Sequence, residues 1–204
     1  MDKINKMNTT LEKGNKYLVE HEKLLIDRIV SGDQKAFREL FLIYRELVYR
    51  VAYRFLGDSD DIEDAVQQTF IEVYRSLPGY EAKSKFTTWL YRIAINVSIQ
   101  FLRKRKNTNK FDYIDPERIE DKSRTDGKSS CESKELQNQV RMALKKLALK
   151  KRIVVILHDL EGITMEEIAN IRNIPLGTVK SRLFHGREEL KKKLSKYLYD
   201  YEMH

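Results

Sequence analysis

Apolar residues recur three and four positions apart from Asp33 to Leu56, at Phe37, Leu40, Phe41, Tyr44, Leu47, Val48, Val51 and Phe55, which gathers them on one side of a helix. Gly57 is the expected stop. A second helix is expected to open at Asp60, with Glu63 three residues on as a capping-box-like pair. It turns Ile62, Val66, Phe70, Val73 and Leu77 inward and ends at Pro78-Gly79. A third helix is expected from about Phe86 to Lys106, with Phe86, Leu90, Ile93, Val97 and Phe101 on its core face. From roughly Asn107 to Glu132 the periodicity dissolves into Asn, Asp, Ser, Lys and Gly, the composition of a flexible linker. Helical spacing returns near Lys134 with Leu136, Val140, Ala143, Leu144 and Leu147, and continues through Ile153 to Leu160. The pattern predicts an all-α protein of two small helical domains. A tail takes 1–22, the first domain 23–108, the linker 109–132, and a second domain with a helix-turn-helix 133–200.

Composition agrees with helices and excludes several classes. Only 8 Gly and 3 Pro occur in a chain that is 34% charged, leaving little material for hairpins. A single cysteine, Cys131, cannot form an internal disulfide or a zinc-finger ligand set. No run approaches the roughly 20 apolar residues that cross a bilayer, and Met1 to Glu20 has no apolar block of the secretory kind, so a cytoplasmic location is expected. The net charge of +8 points to a polyanionic partner, and its distribution says more. Gln139 to Lys196 carries 14 Lys/Arg against 6 Asp/Glu, and Arg103, Lys104, Arg105, Lys106 and Lys110 form a second basic cluster. Asp58, Asp60, Asp61, Glu63, Asp64 and Glu72 make an acidic run with no base between Gly57 and Tyr74. Two basic surfaces and one acidic surface imply two kinds of partner.

The most specific pattern runs from Thr164 to Leu183. A helix-turn-helix needs a small residue where its helices cross, a turn residue tolerant of positive φ four later, and an apolar residue six beyond that. Ala169, Asn173 and Val179 fill those places. On the following helix Val179, Leu183, Leu190 and Leu194 share a face, while Lys180, Ser181, Phe184 and His185 point away from it. An outward Phe beside bases suits a thymine methyl in a major groove. The third helix of the first domain carries a different chemistry. Lys85, Trp89, Arg92, Asn96, Gln100 and Arg103 line a stripe apart from its core face, and the loop Tyr80 to Lys85 precedes it. A stacking surface, a basic track and small polar groups are what unstacked bases need. Trp89 taken alone fits a half-buried core position equally well.

Four ordered blocks resemble the bacterial extracytoplasmic-function sigma factors over about Leu24 to Lys196: Asp61-Ile-Glu-Asp-Ala-Val-Gln-Gln-Thr-Phe70, Lys85-Phe-Thr-Thr-Trp-Leu-Tyr-Arg-Ile-Ala-Ile-Asn96, Asp159-Leu-Glu-Gly-Ile-Thr-Met-Glu-Glu-Ile-Ala169 and Gly177-Thr-Val-Lys-Ser-Arg-Leu183. The resemblance implies a subunit that docks on core RNA polymerase, recognises the −35 element as duplex and the −10 element as single strand, and starts melting. It implies no cofactor, no metal and no covalent chemistry. By the same resemblance Asp61, Asp64, Gln67 and Gln68 meet the β′ clamp helices, and the C-terminal domain sits on the β flap. Thr178, Lys180, Ser181, Phe184, His185 and Arg187 would meet the −35 element. Tyr80, Lys83, Ser84 and Lys85 would belong to the loop that captures a flipped −10 base, with Trp89, Arg92, Asn96, Gln100 and Arg103 beside it. An anti-sigma partner is a further implication. The sequence departs from the family pattern at Leu147-Ala148, where Leu-Pro is usual, at Arg172, where an apolar residue is usual, and at Gln68, where an acid is common.

Enzyme readings find no support in the residues. Gly127-Lys128-Ser129 looks like the end of a phosphate-binding loop, but position 122 is Lys and no strand precedes it. Asp58 to Asp64 lacks the glycine of a calcium loop and has Ile62 at a ligand position. His21, His158, His185 and His204 are scattered without ligand spacing. Two other classes stand beside the sigma-factor reading. A stand-alone helix-turn-helix regulator would leave the acidic helix and the Trp89 stripe without a role. A recombinase or nuclease would need a nucleophile or clustered metal carboxylates in the first domain.

Overall fold

The computed structural model describes residues 20–57, 59–108 and 128–202. These are helical throughout apart from short connections, and no strand occurs among them. They divide into two compact units, 20–52 with 60–97, and 53–57 and 59 with 98–108 and 128–202.

The first unit opens with a helix the sequence pattern did not predict, α1 (20–30), which buries Leu25 and Ile29. Gly32, at φ 93°, turns the chain into α2 (Gln34–Leu56). Asp33 caps α2, its Oδ1 accepting from the amides of Lys35 at 2.9 Å and Ala36 at 3.2 Å. The predicted stripe is buried at Leu40, Tyr44, Val48, Val51 and Phe55, while Phe37, Phe41 and Leu47 are half-buried. Phe37 and Phe41 pack on Phe70, with ring centroids 6.5 and 4.7 Å away. Each such side chain taken fully from water contributes about 1.5–3 kcal/mol, and this seam holds the unit together. Gly57, at φ 73°, donates its amide to the Tyr53 carbonyl and ends α2, as expected.

The next element, α3 (Asp61–Ser76), buries Ile62, Val66, Phe70 and Val73 as predicted, together with Thr69. The capping box expected of Asp60 and Glu63 does not form. Asp60 sits in the helical region, at φ −59° and ψ −23°, where its side chain does not reach the amides of the first turn. A single 3₁₀ turn, Leu77–Gly79, carries the chain out of α3. After the loop to Lys85 comes α4 (Phe86–Thr108), two residues longer than the pattern indicates. Phe86, Leu90 and Val97 are buried on it, and Ile93 and Phe101 are half-buried.

In the second unit, residues 109–127 of the expected linker lie outside the described residues, and 128–132, read as linker, are instead the opening of α5 (Lys128–Lys145). The helical spacing that continues to Leu160 is divided between two helices: α5 stops at Lys145, and α6 (Leu149–Val155) starts after Ala148, at φ −55° and ψ 134°. Breaking the helix lets Ala143, Leu144 and Leu147 be buried in one place and Ile153, Val154 and Val155 in another, with α5 and α6 both packed on α8 (Leu176–Glu202). Leu136, expected inside, is 54% exposed, and Val140 is half-buried. A π-helical turn, Ile156–Leu160, extends α6. Thr164 then caps α7 (Met165–Arg172) with a complete capping box: its hydroxyl accepts from the Glu167 amide at 3.2 Å, and Glu167 accepts from the Thr164 amide at 3.4 Å. Asn173 adopts the left-handed conformation, at φ 50° and ψ 55°, as its place in the motif requires.

Candidate nucleic-acid interface

The loop from Tyr80 to Lys85 is shaped by its own side chains. The Tyr80 hydroxyl donates to the Ser84 carbonyl at 2.6 Å, closing the loop, and Ala82 is held at φ 51°, a region costly for any residue with a Cβ. Lys83, Ser84 and Lys85 are exposed, and Lys83 pairs with Glu81. Tyr80 and Trp89 are half-buried, with ring centroids 5.1 Å apart, and both pack on buried Phe86 at 5.8 and 5.5 Å. One edge of this aromatic group is therefore core and the other meets solvent. Along α4, Arg92, Asn96, Gln100 and Arg103 are exposed at helical spacing, apart from the buried face, as the sequence indicates. Glu22 and Tyr44 escaped the site reading. The buried Tyr44 hydroxyl donates to the Glu22 carboxylate, and the Tyr44 ring lies 5.1 Å from Phe86. Burial, and then the hydrogen bond to Glu22, push the Tyr44 hydroxyl far above its ordinary pKa, while burial and the Glu22 charge raise Tyr80.

On α3, Asp64 and Gln67 are exposed and Asp61 and Gln68 half-buried; Asp61 and Asp64 stand in the first turn, at the positive end, where acids are favoured, and Gln67 and Gln68 in the middle of the helix. Gln68 donates to Glu72 at 2.9 Å, and Glu63 accepts from Arg45 at 3.4 Å. Sequence reasoning passed over two exposed apolar residues in line with Asp64 and Gln67, namely Ile71 and Tyr74.

On α8 the two faces separate as expected. Val179 and Leu183 are buried, Leu190 and Leu194 half-buried, and Lys180, Ser181, Phe184 and His185 exposed. Phe184 is 63% exposed, its ring 5.3 Å from that of His185, and Thr178 is half-buried. Arg187 is exposed, but its guanidinium is engaged by Asp159, with Nε donating to Oδ2 at 3.0 Å and Nη2 to Oδ1. That carboxylate raises the Arg187 pKa further and is a partner the motif did not reveal. Gly186 lies against α6, where an added Cβ would stand 2.7 Å from Val155 Cγ2. Among the described residues no cluster of His, Cys, Asp or Glu is placed to hold a metal, and no helix is long and apolar enough to cross a membrane.

Residues 40–108 match the family model of sigma-70 region 2, and residues 137–190 that of sigma-70 region 4. The ECF RNA polymerase sigma factor SigW of Bacillus subtilis is 37% identical over 182 residues, which are 84% of this chain and 96% of that protein. The chain belongs to the ECF sigma factors. The ECF RNA polymerase sigma-E factor of Escherichia coli K12 is 35% identical over 180 residues, 85% of this chain and 94% of its own. This sigma factor also shares its fold with solved structures. CnrH, in complex with the cytosolic domain of CnrY, matches with a TM-score of 0.65 at 23% identity, over 86% of this chain and 98% of that one. RpoE of Bartonella quintana, in complex with the anti-sigma factor NepR, matches at 0.61 and 24% identity, over 79% and 98%. Family membership sets aside the stand-alone regulator: the protein is a promoter-directing sigma factor of RNA polymerase.

Proposed function

We propose that this sigma factor reads its promoter with two surfaces and binds polymerase through a third. On this reading the region 2 domain runs from α1, which opens at residue 20 rather than 23, to residue 108, and the region 4 domain opens with α5 at residue 128 rather than 133. Thr178, Lys180, Ser181, Phe184 and His185 address the −35 duplex, with Phe184 against a thymine methyl and Arg187, braced by Asp159, toward the backbone. Asp61, Asp64, Gln67 and Gln68 dock on the β′ clamp helices of core polymerase, and the region 4 domain rests on the β flap. The Tyr80 to Lys85 loop captures an extruded −10 base, and Arg92, Asn96, Gln100 and Arg103 track the single strand beside it. An anti-sigma protein, as in the RpoE complex, is the expected regulator, and the chain works in the cytoplasm with no catalysis of its own.

The observation that carries this reading is the half-buried Tyr80 and Trp89 pair, open on one side and placed at the head of the exposed polar stripe of α4. A pocket that binds only an extruded base offsets an unstacking cost of about a few kcal/mol, so melting needs no nucleotide hydrolysis. Trp89→Ala in reconstituted holoenzyme should therefore spare closed complexes and slow opening, read as permanganate reactivity of unpaired thymines. A mismatch placed in advance at the −10 element should restore much of the rate. If Trp89 only packs, the variant will instead lose about 3–5 kcal/mol of stability and fare no better on the premelted template.

A further inference from the structure

The helix α1 lies before residue 40, where the match to sigma-70 region 2 begins, yet its Glu22 reaches the aromatic group at the base of the Tyr80 loop. Tyr44 is 7% exposed, and its hydroxyl, taken out of water, needs an acceptor. Glu22 supplies one. The Tyr44 ring contacts Phe86, which is 2% exposed and begins α4 directly after the loop. Phe86 in turn contacts both Tyr80 and Trp89. A carboxylate on α1 is thus linked through two buried rings to the two rings that face solvent. Burial first, and then the Glu22 charge, raise the Tyr80 hydroxyl pKa.

We propose that Glu22 and Tyr44 are positioning residues for promoter opening: the carboxylate of α1 fixes the Tyr44 ring, which through Phe86 sets the presentation of Tyr80 and Trp89 to the extruded base. This rests on the base-capture role proposed for the loop. Neither residue touches the base. The Glu22 carboxylate accepts a charge-assisted hydrogen bond, and the geometry it maintains matters only once the duplex has opened.

The test uses the full chain reconstituted with core polymerase, with Glu22→Ala, Glu22→Gln, Tyr44→Phe and Trp89→Ala compared on duplex and premelted −10 templates. Glu22→Ala and Tyr44→Phe should each slow opening of the duplex about tenfold, the size of one lost hydrogen bond to a charged group. Closed complexes and opening on the premelted template should stay near wild type. Glu22→Gln should open at close to the wild-type rate, because its amide oxygen still accepts from Tyr44. Glu22→Ala combined with Tyr44→Phe should be no slower than either alone. Wild-type opening by Glu22→Ala and Tyr44→Phe, with Trp89→Ala slow, would overturn this proposal and leave base capture standing. Wild-type opening by Trp89→Ala would remove base capture and this proposal with it. Equal losses on both templates together with fewer closed complexes and a lower Tm would reduce the Glu22–Tyr44 pair to a fold-holding contact.

Discussion

Asp33 shows how much one side chain can settle. Its Oδ1 caps α2, and its Oδ2 accepts from Arg28 Nε at 3.0 Å and Nη2 at 2.7 Å, so the carboxylate joins α1 to the start of α2. The Arg28 hydrogen bond first, and the Ala36 amide next, hold its pKa below the ordinary 3.8. A carboxyl depressed in the folded state stabilises the fold fully above its unfolded pKa and loses that effect as pH falls through the lower, folded value. Asp33→Asn keeps an acceptor for the cap but gives up the charge pair with Arg28. The variant should melt below wild type at pH 7, and the gap in Tm should close as pH falls below about 4. Calorimetry across that range decides it. A gap independent of pH would mean that the carboxylate charge contributes nothing.

Among the elements, α8 carries the most constraint, because one face is buried on α6 while the opposite face carries the residues proposed to meet the −35 element. Gly186 permits the approach: a Cβ there would come within 2.7 Å of a Val155 methyl, on a β-branched side chain that is 2% exposed and has no room to turn. Gly186→Ala gains about 1 kcal/mol of helix propensity and incurs an overpacking strain of about 1–3 kcal/mol. Strain should win. Thermal unfolding should shift down by a few degrees, and −35 binding should weaken as α8 is pushed off α6. An unchanged or higher Tm would show that α6 and α8 can separate freely at this point. Elsewhere the caps redistribute. Thr164 and Glu167 form a complete capping box, whereas Asp60 and Glu63, with acids in similar places, form none. The difference lies in backbone conformation: Thr164 is extended at ψ 154°, as a cap must be, and Asp60 is already helical.

For the whole molecule, the residues proposed to read the −10 element and those proposed to read the −35 element fall largely in different compact units. A free chain must fix the spacing of its two DNA surfaces as it binds, and polymerase supplies that spacing beforehand. The isolated protein should therefore bind a promoter fragment about 100-fold or more weakly than holoenzyme in physiological salt. Fluorescence anisotropy with and without core polymerase measures the ratio. Nanomolar, sequence-specific binding by the free chain would contradict it. The charge pattern agrees with such a division: an acidic α3 suits a basic protein surface, and the basic α8 suits phosphate.

Local chemistry made much of this legible in advance. The helical spacing of Leu40, Tyr44, Val48 and Val51, the stop at Gly57, the left-handed Asn173 and the outward Phe184 all follow from the period of a helix and the conformational range of single residues. The polar stripe of α4 was readable for the same reason, since burial of Leu90 and Val97 dictates where Arg92 and Asn96 must point. Other features depend on residues brought together by packing. The break at Ala148 arises because α5 and α6 both have to lie on α8, although the local pattern would allow one long helix. Arg187 finds Asp159 across 28 positions, and Tyr44 finds Glu22 across 22. The sequence by itself determined which faces of α2, α3, α4 and α8 are apolar, because those depend on neighbours a few residues away, whereas α1, the opening of α5 and the break before α6 came only with the packing. Only the tertiary structure decided which carboxylate each buried or outward group would meet, because partners distant in the chain become neighbours only once the helices have packed.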